Sequence, residues 1–312
     1  MRVAVFGAGG TGGFFGGLLA RAGHDVTFVA RGAHLDAIRS HGLTVNSRLA
    51  GNFVVRPGAT DDARSIGPVD LVLVCVKTYS LDGVLPTLPP LVGPQTSILS
   101  VQNGIDNEAR IAAVVGAGPV LGAVAQVSSF IQRPGVVGQT GGPGRLVFGE
   151  MAGGESGRTA ALLRVFTEAG IAAEVRPDIR GALWEKFVFI CGVSGVTALT
   201  RLPLGPILAD REAAGLMRAT VEEVVTVARA EEAPVAPRFA EQVLAMMGTL
   251  EPWMRGSMAQ DLAEGRRLEL EWLNGTVVRL GRARAIPVPA NWAIYAALRP
   301  FADGAPVEPA PA

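Results

Sequence analysis

The chain begins with a short apolar run, Arg2–Phe6, that passes directly into Gly7-Ala8-Gly9-Gly10-Thr11-Gly12. No other feature constrains the fold as tightly. In a strand–turn–helix unit the first glycine of G-x-G-x-x-G permits the tight turn and the second lets a pyrophosphate approach the backbone. The third lets the helix pack closely on the strand, and the diphosphate rests on the helix N-terminus. The context fits on both sides. Gly10–Ala22 carries Phe14, Phe15, Leu18 and Leu19 at helical spacing, and Val26–Val29 supplies a second strand. Gly7, Gly9, Gly10, Thr11 and Gly12 are therefore read as a dinucleotide-binding loop.

The end of the second strand discriminates between dinucleotides. An acidic residue there bonds a ribose 2′-hydroxyl, whereas a cation accommodates a 2′-phosphate. Val29-Ala30 is followed by Arg31-Gly32 with no acid at the tip. Arg31 can fork onto a phosphate, which favours NADP(H); the alternative is an ordinary surface arginine.

Three further apolar runs, Leu71–Val76, Ser97–Val101 and Val120–Val127, alternate with helical patterns. Continuous rather than alternating hydrophobicity is expected of strands buried on both faces of a parallel sheet. The fold class is thus α/β, with an N-terminal Rossmann-type doubly wound sheet. Glycines and valines over Val136–Phe148 suggest antiparallel hairpins at one edge of it. After Arg176-Pro177 the strand signal ceases. Long helical patterns follow over Ile179–Leu199, Ala209–Ala230, Arg238–Met247, Pro252 to Gly281 and Trp292–Leu298. This predicts a dinucleotide-binding domain over residues 1–176, a mostly helical substrate domain over 177–301, and a frayed, disordered Pro/Ala-rich tail over 302–312.

Composition excludes several classes of partner. Lys plus Arg is 28 and Asp plus Glu is 28, so the net charge is zero. Neither nucleic acid nor an anionic membrane surface is indicated, because both demand a surplus of positive charge. No apolar stretch of about 18 uninterrupted residues predicts a transmembrane helix. The N-terminus reads as a strand rather than a secretory signal, so a cytoplasmic location is expected. Cys75 and Cys191 lie in apolar runs, and His24, His34 and His41 lie elsewhere, so neither a disulfide framework nor a metal site is expected. One oddity stands out: only Lys77 and Lys186 are lysines, and the other 26 basic residues are arginines. Lysine differs from arginine in that its ammonium can be deprotonated.

Ligands of open α/β sheets lie beyond the carboxyl ends of the strands. Lys77 directly follows one apolar run and Gln102-Asn103-Gly104 another, so Lys77 and Asn103 would face the nicotinamide half of a cofactor. A solvated lysine and a simple Asn-Gly turn are the alternatives. In the helical half, Lys186 heads a helix face continued by Ile190, Ser194 and Thr197. Beside such an apolar helix its ammonium would be partly desolvated and readier to give up a proton. The alternative is a lysine snorkelling at the core edge.

Together these residues resemble the ketopantoate reductases (2-dehydropantoate 2-reductases) over most of the chain, to about Val288. The resemblance is carried by GAGGTG, Ala30-Arg31-Gly32, Val76-Lys77-Thr78, Gln102-Asn103-Gly104 and Leu183-Trp184-Glu185-Lys186. Its most specific part is Ser257-Met258 with Gln260-Asp261, followed by Glu269-Leu270-Glu271-Trp272-Leu273-Asn274-Gly275. It implies NADPH-dependent reduction of a 2-keto acid, foremost 2-dehydropantoate to pantoate, in pantothenate biosynthesis. It further implies Lys186 as general acid, Glu269 and Ser257 holding the substrate, and Asn103 and Lys77 at the cofactor–substrate junction. It allows a homodimer without fixing one. Ser257 and Glu269 are twelve residues apart, roughly 18 Å along a continuous helix and about 120° around it. Both can reach one small substrate only if the helix breaks, and Gly265-Arg266-Arg267 is where the break is expected.

The chain also departs from the family. Asparagines usual four and eight residues after the lysine are Ile190 and Ser194 here, and Trp253 and Met254 stand near where another asparagine is usual. Each lost partner would cost a polar substrate about 1–3 kcal/mol. Ser194 remains the polar substrate-facing candidate on the helix. A paralogue acting on a more apolar 2-keto acid or related carbonyl compound is the second reading. A dinucleotide-binding sensor without turnover is the third.

Overall fold

The computed structural model describes residues 1–306. It divides into two compact units, Met1–Leu183 and a second beginning at Trp184. The expected boundary at 176/177 lies a few residues upstream of this division. The first turn of the helix at the division belongs to the first unit, because Ile179, Ala182 and Leu183 bury themselves with Val124 and Val147.

In the first unit the strands are β1 (Arg2–Phe6), β2 (Asp25–Val29), β3 (Leu43–Ser47), β4 (Phe53–Val55), β5 (Gly58–Thr60), β6 (Val69–Val74), β7 (Val92–Ser100), β8 (Val120–Arg133), β9 (Val136–Glu150) and β10 (Ala172–Val175). Its helices are α1 (Gly10–Arg21), α2 (Gly32–His41), α3 (Leu81–Val84), α4 (Asn107–Val115) and α5 (Gly157–Glu168). The sheet order is β4-β3-β9-β8-β7-β6-β1-β2-β5, with β10 also on β9. The block β8-β7-β6-β1-β2-β5 is parallel. Both faces are buried, as the unbroken apolar runs require. Val3, Val5, Leu71, Leu73, Leu99 and Leu121 enter the core on one face. Their neighbours Ala4, Phe6, Val72, Val74, Ile98 and Val120 enter a separate core on the other. The two-residue period of a strand produces this division.

The hairpin expected at one edge is corrected by the sheet order. β8 and β9 do pair antiparallel, yet β9 is interior. β3 pairs with its first half and β10 with its second, both parallel. These partners come from residues 43–47 and 172–175, and no local periodicity encodes such distant pairings.

The second unit is helical. The long helix α6 (Ile179–Thr200) runs into it, followed by α7 (Leu204–Ala209), α8 (Arg211–Ala230), α9 (Phe239–Met247), α10 (Ser257–Ala263), α11 (Asn274–Ala283) and α12 (Pro289–Leu298). By length and composition α6 could cross a membrane, but 72% of its apolar window is buried, as in a core helix. A chain of buried polar contacts binds the unit together. The Asn274 amide donates to the Cys191 carbonyl of α6 (3.3 Å) and to the Asn291 side-chain oxygen (2.9 Å). Glu223 of α8 accepts from the backbone N–H groups of Ala290 and Asn291 (2.8 and 2.9 Å) and from the Asn291 amide (2.8 Å). The α12 N-terminus is thereby capped by a carboxylate, as its dipole favours.

The expected tail needs correcting at its start. Ala302 is buried, and its carbonyl accepts from Leu268 N–H at 2.9 Å. Composition alone reads this Pro/Ala-rich stretch as frayed, but a backbone pairing holds it. The remainder of that expectation, residues 307–312, lies outside the described residues.

Asn274 and Asn291 are both fully buried. Asn274→Ala strands the Asn291 side-chain oxygen and removes the tie to α6, and should destabilise the protein by about 1–3 kcal/mol. A lowered urea midpoint with an unchanged m-value will show it.

Candidate active site

The parallel register sets the carboxyl ends of four strands in one row. Phe6 lies opposite Val29 and Val74, and Val74 opposite Ser100. The residues that follow, Gly7–Gly12, Ala30-Arg31, Cys75–Lys77 and Val101–Asn103, therefore emerge along one edge, spanning roughly 14 Å across β2-β1-β6-β7. Backbone bonds continue the row past the strands, from Gly7 N–H to Val29 O (2.9 Å), Cys75 N–H to Phe6 O (2.8 Å) and Val101 N–H to Val74 O (3.1 Å).

The glycine loop divides its labour as the motif demands. Gly7 has φ +91°, a left-handed conformation that disfavours side chains. A Cβ at Gly12 would lie 2.0 Å from the Gly7 carbonyl oxygen and 2.9 Å from Cys75 Cβ, so α1 can approach β1 only without one. A Cβ at Gly10 would lie 2.0 Å from the Ser129 carbonyl oxygen of β8. Gly9 differs: nothing lies within 4 Å of its would-be Cβ. It is the position that opens to a ligand. The first bond of α1 runs from Gly13 N–H to Gly9 O (2.7 Å), so the N–H groups of Gly10, Thr11 and Gly12 precede the helical ladder and suit an anion.

Lys77 and Asn103 lie on two loops that the structure ties together. The Gln102 amide donates to the Val76 carbonyl (2.9 Å), and Thr78 Oγ1 donates to the Asn103 carbonyl (3.0 Å). Asn107 Nδ2 also donates to the Asn103 carbonyl (2.9 Å), which fixes the turn. Gly104, at φ +104°, closes that turn. Arg31 is exposed at the start of α2, beyond the end of β2.

His34 had no role assigned from sequence. Its Nε2 meets the Ala8 carbonyl at 2.8 Å, and its Nδ1 accepts from Gly135 N–H at 3.1 Å. A carbonyl can only accept and an amide N–H only donate, so the ring is neutral with its proton on Nε2. His34 thus braces the glycine loop against the β8–β9 turn. Burial, outweighing the Ala8 carbonyl, holds its pKa below the ordinary imidazole value. Only its position three residues after Arg31 marks it in the sequence, and that spacing carries no motif.

In the second unit the Lys186 helix gathers the other candidates. Lys186 is half-buried, beside an edge-to-face pair formed by Trp184 and Phe187 at 5.6 Å. Gly256, immediately before Ser257, donates its N–H to Thr197 Oγ1 (3.1 Å), and Thr197 donates to the Val193 carbonyl. Ser257 is exposed. Asn274, five residues past Glu269, holds the same helix at Cys191. Glu269 itself is only 3% exposed. The segments carrying Ser257 and Glu269 are thus both fastened to α6. The helix between them does break where expected. α10 ends at Ala263, Gly265 takes φ +64°, and Leu270–Trp272 forms a separate 3-10 turn. Asp261 closes this break by pairing with Arg266 (2.9 Å) and accepting Arg266 N–H at its backbone carbonyl (2.8 Å). Ser194 is less suited to its expected role. It is 4% exposed, and a Cβ on Gly256 would lie 2.4 Å from its Cα. The Gly256 backbone lies directly on it.

A parallel sheet with a glycine loop at its strand ends, followed by a helical unit carrying lysine, serine and carboxylate, defines a dinucleotide-dependent oxidoreductase. Comparison with known proteins makes the assignment narrower. The family described as "Ketopantoate reductase PanE/ApbA" matches residues 3–153, and its C-terminal counterpart matches residues 178–302. The chain belongs to the ketopantoate reductase family. It is 33% identical over 296 residues to the 2-dehydropantoate 2-reductase of Halobacterium salinarum, covering 93% of this chain and 95% of that one. An uncharacterized oxidoreductase of Bacillus subtilis, YkpB, is 31% identical over 303 residues, with 96% and 99% covered. The crystal structure of a PanE/ApbA family ketopantoate reductase from Ralstonia eutropha shares 35% identity at a TM-score of 0.89, covering 97% and 98%. The protein is an oxidoreductase, and the family supports 2-dehydropantoate 2-reductase activity with a nicotinamide dinucleotide cofactor.

His34→Ala should weaken dinucleotide affinity about fivefold at neutral pH, since about 1 kcal/mol of loop bracing is lost. Calorimetric titration reads this directly. The lowered His34 pKa also sets a sign. The bracing contributes stability above about pH 6.5, the ordinary imidazole value, and loses it as pH falls through the lower folded value. Urea unfolding of His34→Ala across that range should show a flatter pH dependence than the wild type.

Proposed function

We propose that the protein reduces a 2-keto acid with NADPH, foremost 2-dehydropantoate to pantoate, and that Lys186 donates the proton. The observation that carries this reading is the convergence on α6. A deprotonatable ammonium lies half-buried on the helix to which the Ser257 and Glu269 segments are both fastened. A reduced nicotinamide, when bound, would supply hydride to the carbonyl carbon. Negative charge then builds on the carbonyl oxygen, and Lys186 both stabilises and protonates it. Arginine could do only the first, because it does not release its proton in this range. Glu269 orients Lys186 or a substrate hydroxyl, and Ser257 presents its hydroxyl to the substrate. Gly7–Gly12 cradle the pyrophosphate, with Gly9 the point of closest approach. Lys77 and Asn103 face the nicotinamide end, and Arg31 holds the 2′-phosphate.

A more apolar 2-keto acid is the second reading, and one structural observation favours it. On the substrate-facing helix Ile190 is half-buried and Ser194 is covered by Gly256. The face next to Lys186 therefore offers less polar capacity than a hydroxylated substrate would use.

Two substitutions test the main reading. Lys186→Arg should lower kcat by 10²–10⁴-fold while dinucleotide binding stays within twofold of wild type. Full activity in that variant would refute proton donation by Lys186. Arg31→Ala should weaken NADPH binding by tenfold or more, about 1.4 kcal/mol, and leave NADH binding unchanged. Equal losses for both nucleotides would remove the 2′-phosphate assignment.

A further inference from the structure

The break between Ser257 and Glu269 is long for a segment that must place a carboxylate accurately. Past the bond from Gly265 N–H to the Leu262 carbonyl (3.2 Å) that ends α10, Arg266–Leu268 lies outside any helix, and catalytic groups need placement within about 0.5 Å. Part of the order comes from inside the loop, through the Asp261–Arg266 contacts. The rest comes from the other end of the unit. Leu268 N–H donates to the Ala302 carbonyl (2.9 Å), and Ala305 N–H donates to the Gly265 carbonyl (3.2 Å). The two segments are clasped at both ends of the break, Gly265 and Leu268.

The clasp has a built fit. Ala302 is buried at 5% exposure. Gly304 takes φ +118°, and a Cβ there would stand 3.0 Å from the Gly265 carbonyl oxygen. Gly265 takes φ +64°, and its Cβ would stand 3.3 Å from Ala305 Cβ. Two left-handed glycines thus face each other where the backbones meet, and side chains on either would force them apart. The pair Arg267–Asp303 (3.3 Å) sits outside this contact with both side chains substantially exposed, so it contributes little.

Glu269 follows directly on Leu268. On its far side its carbonyl accepts from Trp272 and Leu273 N–H (both 3.1 Å). Its backbone is therefore fixed by the 3-10 turn on one side and by the clasp on the other. We propose that Ala302–Ala305 is a strap that positions Glu269 for catalysis through the Gly265–Leu268 loop. This rests on the reading of Glu269 as a substrate-orienting carboxylate.

The test compares Gly304→Val, a chain ending at Phe301 and a chain ending at Pro306, each alone and combined with Glu269→Gln. Glu269→Gln alone tests the reading on which the strap depends, and its full activity would refute that reading. Given an impaired Glu269→Gln, the strap predicts that Gly304→Val and the chain ending at Phe301 lose tenfold or more in kcat/KM for the keto acid. NADPH affinity and helical circular dichroism should stay at wild-type values, and Leu268 N–H should exchange faster. The chain ending at Pro306 keeps every strap contact and should match wild type. In the Glu269→Gln background the strap changes should cost nothing further, because they act through that carboxylate. Wild-type kcat/KM in both strap variants would overturn the proposal. So would losses additive with Glu269→Gln, or loss of helical structure along with activity, since each makes the segment a general stability element.

Discussion

A Cβ at Gly12 would sit 2.0 Å from the Gly7 carbonyl oxygen, and the cofactor end of the molecule follows from its absence. Because α1 can press onto β1, its N-terminal amides emerge in the row of strand ends rather than above it. The parallel register then delivers Arg31, Lys77 and Asn103 to the same edge, each one to three residues past its strand. Gly10 brings the β8 backbone against the helix start in the same way. His34 completes the frame by locking the loop to the β8–β9 turn in a single tautomer.

The second unit solves a different problem, bringing three residues far apart in sequence to one helix. It uses buried polar groups as well as glycine. Thr197 takes the Gly256 amide and so sets Ser257. Asn274 takes the Cys191 carbonyl and so sets the segment after Glu269. Asn274, Asn291 and Glu223 then connect α6, α8, α11 and α12, with the Asn274 Oδ1 left buried without a hydrogen-bond partner. A buried network of this kind costs stability where it is incomplete and specifies one packing where its partners are met.

Much of this was legible in the residues. The glycine loop and the doubly buried strands each have a local pattern with a direct physical reading. The break at Gly265 was legible for another reason: Ser257 and Glu269 could not share a substrate along a straight helix. What escaped was encoded over long distances. β3 and β10 are short, and their places on β9 depend on partners about 90 and 30 residues away, which no periodicity reports. His34 is recognisable only once Ala8 and Gly135 flank it. The segment from Ala302 reads as a tail by composition, because a backbone clasp between two glycines leaves no side-chain signature. Ser194 shares the Lys186 face by spacing, but the sequence did not show that Gly256 would cover it. Of the two lysines, Lys77 stands three residues past the end of β6 and Lys186 on α6.

We propose that this protein carries out keto-acid reduction rather than dinucleotide sensing. That activity is tested most directly by following reduced-nicotinamide absorbance with a panel of 2-keto acids, from 2-dehydropantoate to bulkier apolar homologues, offered with NADPH and with NADH. Steady turnover with NADPH is expected, one nucleotide oxidised per keto acid reduced, with 2-dehydropantoate the foremost substrate. Tight dinucleotide binding with no turnover across the whole panel would contradict it.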